Sequence, residues 1–191
     1  MKRFLFFALL AALMVSTGCS DDDEPRFSDG VLRYDGPNAS GPSLNAGGYE
    51  AAARFPADVT SLEVFTGRRL TQVQWFMGFV PEECQVKIYG NGADDQPGSL
   101  LYEANVLSSV TAGQFTTHTL TTPIDLTGED LWISIAFRHG TTMQSIGCDA
   151  QNSGVTNGDW LFSGNDARWL PWTTRTNGVD RINWNIRGIT E

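Results

Sequence analysis

The chain is poor in cations, in histidine and in cysteine, and these shortages exclude whole classes of function. Its 191 residues include 13 Lys and Arg against 22 Asp and Glu, which gives a formal net charge of -9 at pH 7. No run of basic residues occurs, whereas proteins that bind nucleic acid use clustered cations to neutralise phosphates. We therefore expect no nucleic-acid partner and no attraction of the folded domain to anionic lipid.

Catalytic and zinc-binding motifs are also missing. The two histidines, His118 and His139, lack the paired spacing from which zinc sites are built. No Gly-x-Ser-x-Gly motif is present to expose a nucleophilic serine. Carboxylates are common, but nothing in the sequence places two of them across a cleft, as a glycosidase requires. We predict that the protein is not an enzyme, and we assign no catalytic residue.

The N-terminal residues predict export followed by lipid attachment. Lys2 and Arg3 precede an apolar stretch that suits a secretory signal and is shorter than the roughly 20 residues of a membrane-spanning helix. The sequence Ser16-Thr17-Gly18-Cys19 then resembles the lipobox of bacterial lipoproteins, whose cysteine becomes the acylated N-terminus. We expect residues 1–18 to be removed as a signal peptide and Cys19 to carry the lipid anchor, which is the expected contact with the membrane.

Residues 19–30 predict an acidic linker between the lipid and the folded domain. The four consecutive carboxylates at 21–24 cannot pack into a core and must stay solvated. The run Cys19-Ser20-Asp21-Asp22-Asp23-Glu24 resembles the export signal of Bacteroidota lipoproteins. This resemblance implies a lipid-anchored protein of the outer membrane that faces the cell exterior, with a periplasm-facing anchor as the alternative.

Residues 31–191 predict a single all-β domain. Short segments with alternating apolar residues recur along the chain and are bounded by Gly, Asn, Ser and Pro, as strands and turns are. The alanines of segment 49–55 also suit a helix, but Gly48 and Pro56 confine it to a length that favours a strand. Many short strands at this spacing indicate a two-sheet sandwich or a barrel. The predicted strands are 31–34, 49–55, 70–79, 84–89, 100–106, 115–120, 131–137, 158–162, 168–170 and 181–187, and the predicted long loops are 36–48 and 139–158.

The order of these segments resembles the jelly-roll domains of Bacteroidota surface lipoproteins, akin to the cleaved-adhesin modules of gingipains. The resemblance implies a jelly-roll β-sandwich with a non-catalytic role in adhesion or in carbohydrate or protein binding, sometimes with bound calcium. We therefore expect a module that binds a glycan or a host protein; the alternatives are a structural subunit of a surface assembly and a hydrolase. The residues that carry the resemblance are Leu32-Arg33-Tyr34-Asp35, 49–55, 70–73, 85–89, 130–133, Gly158-Asp159-Trp160, Trp169 and Asn183-Trp184-Asn185-Ile186-Arg187.

The tryptophans supply the candidates for ligand contact. Four of them lie within apolar strand patterns and are expected in the core, whereas Trp169 and Trp172 lie among polar residues. An exposed indole can stack on the apolar face of a sugar or anchor a protein partner. We take Trp172, Trp169 and the loop residue Asp149 as the ligand-binding candidates, and of the two indoles Trp172 is the one expected at the surface.

Calcium and a disulfide remain open from the sequence. Calcium binds oxygen ligands from carboxylates and amides, and Glu50, Asp149, Asn183 and Asn185 are the candidate ligands. The alternative for Asn183 and Asn185 is that they form the solvent face of the last strand. Export would permit a bridge between Cys84 and Cys148, yet cysteine is also common as a small buried side chain.

Overall fold

The computed structural model describes Phe27 and residues 29–144, 146–150 and 157–191. Antiparallel strands dominate this part of the chain, and the all-β prediction is confirmed. Two short helices, α1 (Ala57–Thr60) and α2 (Trp172–Arg175), and two 3-10 turns, Glu63–Phe65 and Leu107–Ser109, lie between strands. The strands are β1 (Val31–Leu32), β2 (Ser43–Leu44), β3 (Gly47–Phe55), β4 (Arg69–Met77), β5 (Glu83–Tyr89), β6 (Leu100–Asn105), β7 (Gln114–Asp125), β8 (Leu131–His139), β9 (Met143–Gln144), β10 (Trp160–Ser163), β11 (Arg168–Pro171) and β12 (Ile186–Thr190).

The strands form a larger and a smaller sheet that face each other. The larger sheet has six strands in the order β11-β10-β3-β8-β5-β6, and the smaller has four in the order β1-β12-β4-β7. Strands β2 and β9 pair separately. The arrangement is β-sandwich-like, because one cluster of buried side chains includes residues from both sheets. Its members include Ala51, Ala53, Phe55, Val86, Ile88, Ile133, Ile135 and Phe137 of the larger sheet and Leu70, Val73, Trp75, Met77 and Ile186 of the smaller.

Alternation along the strands explains which faces meet. In β5 the residues Cys84, Val86 and Ile88 are fully buried, while the residues between them are partly exposed. A period of two places such residues on one face of a sheet. Each large apolar side chain buried in this way contributes about 1.5–3 kcal/mol relative to exposure in water.

A polar contact joins the edge strands β6 and β7, which belong to different sheets. The hydroxyl of Tyr102 lies 2.8 Å from Nε2 of His118 and accepts a hydrogen bond from the backbone N–H of Thr121 at 3.3 Å.

The pairing of β7 with β4 shifts register between Leu70 and Gln72. Irregularity of this kind interrupts the open edge of a sheet and limits pairing with other chains.

The buried cluster includes Phe27, which lies within the predicted linker 19–30. The ring of Phe27 is buried and makes edge-to-face contacts with Tyr34 at 5.9 Å and with Phe65 at 5.7 Å. The predicted signal peptide, Cys19 and the carboxylate run at 21–24 lie outside the described residues. Within the described ranges, no helix has both the length and the apolar character needed to cross a bilayer.

One predicted strand is correct, one is displaced along the chain, and the two predicted loops contain short strands. Segment 49–55 is a strand, as predicted. The predicted strand at 181–187 is wrong in position, because β12 begins at Ile186. The predicted loops 36–48 and 139–158 contain β2 and β9, and residues 145 and 151–156 of the second loop lie outside the described part of the chain.

The two remaining cysteines are free thiols. Cys84 and Cys148 are both buried and are not joined, so the bridge that the sequence left open is not formed in this structure. Burial raises the pKa of the Cys84 thiol to about 12. Burial also raises the pKa of Cys148, whose Sγ lies 3.5 Å from the hydroxyl of Ser40.

Candidate functional site

The outer face of the six-stranded sheet carries two rows of side chains that cross every strand. Their members follow from the strand registers, which place successive residues opposite one another. In both rows the residues on β11 and β10 are apolar, mostly aromatic, and those on β5 and β6 are polar or charged. Row 1 consists of Trp169, Phe162, Glu50, Ala136, Gln85 and Asn105, and row 2 of Pro171, Trp160, Ala52, Ser134, Lys87 and Glu103.

The aromatic half of this face is a second hydrophobic cluster, separate from the core between the sheets. Trp132 packs edge-on against Trp160, with ring centroids 5.1 Å apart, and against Trp169 at 5.7 Å. The guanidinium of Arg54 lies 5.5 Å from the ring of Trp132. Phe162 packs on Trp169 at 5.7 Å and is only partly buried, so it presents ring surface to solvent. The three indoles thus form a rigid support beneath an accessible phenyl ring.

The polar half is organised around the buried carboxylate of Glu50. The hydroxyl of Ser134 donates to Glu50 Oε1 at 2.5 Å. Glu50 Oε2 lies 3.7 Å from the ammonium of Lys87, which in turn lies 3.6 Å from a carboxylate oxygen of Glu103. The pKa of Tyr89 is raised by its burial and then by the neighbouring Glu50 carboxylate. Glu50 is therefore fixed in place by three neighbouring side chains.

A pocket of about 230 Å³ opens between the two halves. Gly48, Ala136 and Gly164, which have small side chains or none, line part of it. Phe162 forms an aromatic wall of this pocket and Glu50 contributes a carboxylate. The pocket is also lined by Tyr49, Glu83, Gln85, Lys87, Phe137 and Arg138. An apolar ring surface beside fixed hydrogen-bonding groups is the usual composition of a small-ligand site.

Three of the four candidate calcium ligands lie together, but in a different place. The backbone N–H and the side-chain amide of Asn183 donate to the two carboxylate oxygens of Asp149, at 2.7 and 3.0 Å. The amide of Asn185 donates to Asp35 at 2.7 Å, and Arg187 binds the same carboxylate through Nε at 3.0 Å and Nη2 at 2.8 Å. Burial raises the pKa of Asp149, and the hydrogen bonds from Asn183 oppose that rise.

Glu50 does not belong to this network, so the four predicted ligands do not converge on one point. Asn183 and Asn185 are fully buried, and the alternative that they form a solvent-exposed face is wrong. Their amides satisfy buried carboxylates, which is a structural role for polar groups that could not otherwise be buried. The described ranges contain no group of three or more His, Cys, Asp or Glu side chains placed to hold a metal ion.

The two candidate tryptophans have different surroundings. Trp172 is half-buried and packs edge-on against Trp184 of the inner core, with ring centroids 5.8 Å apart. Trp169 belongs to row 1 and supports Phe162. Asp149, the third ligand-binding candidate, is buried in the network described above. Of the three, only Trp169 is part of the outer face that holds the pocket.

Sequence reasoning missed Phe162, Gln85, Lys87 and Ser134 as site residues. Alternation along β5 predicts that Gln85 and Lys87 share a face. Alternation along β8 and β10 likewise assigns Ser134 and Phe162 each to one face of its own strand, and this signal is local. Which strands lie side by side is a long-range property, and it alone brings Glu50 next to Phe162 and Ala136. Comparison of the chain with protein-family models, curated proteins and solved structures finds no match.

Proposed function

We propose that the protein is a non-enzymatic surface module that binds a glycan on the outer face of its six-stranded sheet. The observation that carries the proposal is the pocket at row 1, where the partly exposed ring of Phe162 lies beside the carboxylate of Glu50 and small residues line the remaining space. Loops on a rigid sandwich are a common place for binding groups. Here the sheet itself supplies the more complete site.

The chemistry of a sugar fits both halves of this surface. A pyranose has an apolar face of C–H groups, which packs on an aromatic ring, and a rim of hydroxyls that need hydrogen-bond partners. Phe162 offers the ring, while Gln85, Lys87 and Arg138 offer donors at the pocket wall. Because Glu50 is already held by Ser134, little side-chain entropy is lost when a ligand arrives.

A binding role is favoured over hydrolysis by the contacts of the two acidic side chains that line the pocket. Glu50 accepts a hydrogen bond from the hydroxyl of Ser134 and lies 3.7 Å from the ammonium of Lys87, so both of its oxygens already have partners within the sheet. A glycosidase needs a second carboxyl group held protonated to donate to the leaving oxygen. Glu83, the other carboxylate at this pocket, is a surface residue whose oxygen lies 3.4 Å from Nε of Arg138. Neither group has the surroundings of a catalytic acid.

The cellular setting of the proposal rests on the sequence. In this proposal residues 1–18 direct export and Cys19 carries the lipid. The acidic residues that follow hold the domain away from the outer membrane and toward the cell exterior. The strand arrangement is proposed to be of the jelly-roll type. Replacement of Cys19 by Ser is expected to abolish labelling by a radioactive fatty acid and to release the protein from the membrane fraction. Unchanged membrane partition would contradict the anchor.

The binding proposal is tested with the full-length chain on a glycan array, followed by measurement of the affinity for the best glycan. Phe162→Ala is expected to weaken binding about tenfold or more, because truncation of a central aromatic contact commonly costs over 1 kcal/mol. Phe115→Ala is the matched control, since Phe115 is a partly exposed phenyl ring on β7 of the other sheet. Equal losses in the two variants, or no bound glycan, would count against the proposal.

A structural subunit of a surface assembly is the second candidate. Phe79 and Val80, which lie between β4 and β5, are each 51% exposed. Adjacent exposed apolar residues are a common feature of protein contacts. Cross-linking on intact cells tests this candidate, which fails if the protein is recovered alone.

A further inference from the structure

The cations on the outer face of the six-stranded sheet are all paired with carboxylates. Among the described residues this face has three cations, Arg54, Lys87 and Arg138. Lys87 lies between Glu50 and Glu103, at 3.7 and 3.6 Å. The ammonium of Lys87 is therefore held between two carboxylates.

The two arginines are paired in the same way. Arg54 contacts Asp130 at 2.8 Å and Asp95 at 2.6 Å, and Arg138 Nε lies 3.4 Å from a carboxylate oxygen of Glu83. The exposed pair of Arg138 and Glu83 is weak, as surface ion pairs are. Lys87 is more strongly held, because it is only 22% exposed and has two carboxylates within reach.

An anionic sugar would have to compete for Lys87. To reach the ammonium it must either displace Glu50 or Glu103 or lie beside both carboxylates and be repelled by them, and Glu50 is only 7% exposed. A buried carboxylate that loses its partner is strongly unfavourable. The chain as a whole is also acidic, with a net charge of -9, so its long-range field repels anions.

We infer that this site selects uncharged sugars and rejects those that carry a carboxylate or sulfate, and that the Glu50–Lys87 pair sets this selectivity. The inference rests on the proposed glycan-binding function and specifies its ligand class. The size of the pocket agrees with one sugar unit, because about 230 Å³ is smaller than the roughly 300–1,000 Å³ of sites for drug-sized ligands. Neighbouring units of a longer chain then lie over the open surface.

The test compares a neutral glycan with a matched glycan in which one unit is a uronic acid, using the full-length chain and titration calorimetry. The neutral glycan is expected to bind at least about tenfold more tightly than its acidic counterpart. Its affinity is expected to change less than about twofold between roughly 20 and 300 mM salt, because it gains no ion pair on binding.

Glu50→Gln tests the pair directly. Glutamine keeps an acceptor for Ser134 and removes the charge, so Lys87 is left with Glu103 as its only described partner. The preference for the neutral glycan is expected to shrink by about threefold or more. Glu63→Gln is the matched control, because Glu63 is an exposed carboxylate in the Glu63–Phe65 turn, away from the pocket lining.

Lys87→Met is a second variant for the same comparison, and its result does not depend on whether Glu50→Gln folds normally. It removes the cation and leaves Glu50 without its ammonium, so the preference for the neutral glycan is expected to widen. A narrower preference in Lys87→Met, or equal binding of neutral and acidic glycans by the unmodified chain, overturns the inference and leaves glycan binding standing. Binding of neither glycan class on an array overturns the proposed function itself.

Discussion

The close approach of the two sheets at Gly188 gives the sharpest test of the fold. Gly188 lies on β12 of the four-stranded sheet. A Cβ atom added there would lie 2.6 Å from Cδ1 of Ile133, on the opposite sheet, and 2.7 Å from Cδ1 of Leu70. Contacts below 3.0 Å force a neighbour to move, and both neighbours are fully buried. Gly188→Ala is therefore expected to overpack the core.

Two opposing contributions set the change in unfolding free energy that Gly188→Ala causes. Overpacking of a well-packed core costs about 1–3 kcal/mol. Loss of glycine freedom in the unfolded chain returns about 0.4–1 kcal/mol. The expected net change is a loss centred near about 1.3 kcal/mol, within a range of about 0–2.6 kcal/mol, in the free energy of unfolding measured by urea denaturation.

Two further variants make this prediction refutable. Ile133→Val removes the methyl group that Gly188→Ala would meet, and alone it costs about 0.5–1.5 kcal/mol. The double variant is expected to be more stable than the sum of the single changes predicts, by about 1 kcal/mol. Gly48→Ala is the control, because a Cβ there meets nothing within 4 Å. Additive effects, or an equal loss at Gly48, would refute the face-to-face packing at this point.

Two predictions concern ionisable groups. Burial lowers the pKa of His118 in the folded protein. The unfolded chain, in which the ordinary pKa is near 6.5, therefore binds a proton more readily than the folded protein. The free energy of unfolding is thus highest above about pH 6.5 and falls as the pH drops from there toward the lower folded pKa. Between about pH 7.5 and about pH 5.5, His118→Gln is expected to lose less unfolding free energy than the unmodified protein. An equal loss in the two proteins would contradict the claim that His118 causes this pH dependence. Because Cys84 and Cys148 are free and buried, a thiol reagent is expected to modify both only after denaturation. Rapid modification of Cys84 or Cys148 in the native protein, located by peptide mass measurement, or a disulfide between the two, would contradict the buried thiols.

The fold was predictable wherever its signal is local. The alternation of Cys84, Val86 and Ile88 fixes the buried face of β5, and the structure places all three in the core. The alanines at 51–53 were the hard case, since their helical propensity opposes the strand that β8 and β10 enforce by pairing on both sides. Tertiary context decides such segments.

The predicted strand at 181–187 is wrong in position although its sequence pattern is regular. The alternation there is perfect, and Ile182, Trp184 and Ile186 are indeed buried. Asn183 and Asn185 are buried too, because carboxylates distant in the sequence accept their hydrogen bonds. A polar residue that is satisfied by a remote partner looks in sequence like one that faces solvent.

The site was predictable in its parts and not in its assembly. Glu50 and Trp169 were both recognised, one as a metal ligand and the other as an aromatic contact. Only the pairing of β3, β10 and β11 shows that they belong to one row with Phe162 between them. Strand order depends on long-range packing, so the residue types alone could not place them together.

The most direct measurement is an NMR titration of the isotope-labelled full-length chain with the best neutral glycan from the array. We expect the largest shift changes at Phe162, Glu50, Gln85 and Arg138, with the opposite face near Phe115 unaffected. Changes centred on Phe115 or on the exposed Phe79 and Val80 would contradict the central claim that the outer face of the six-stranded sheet is the binding surface.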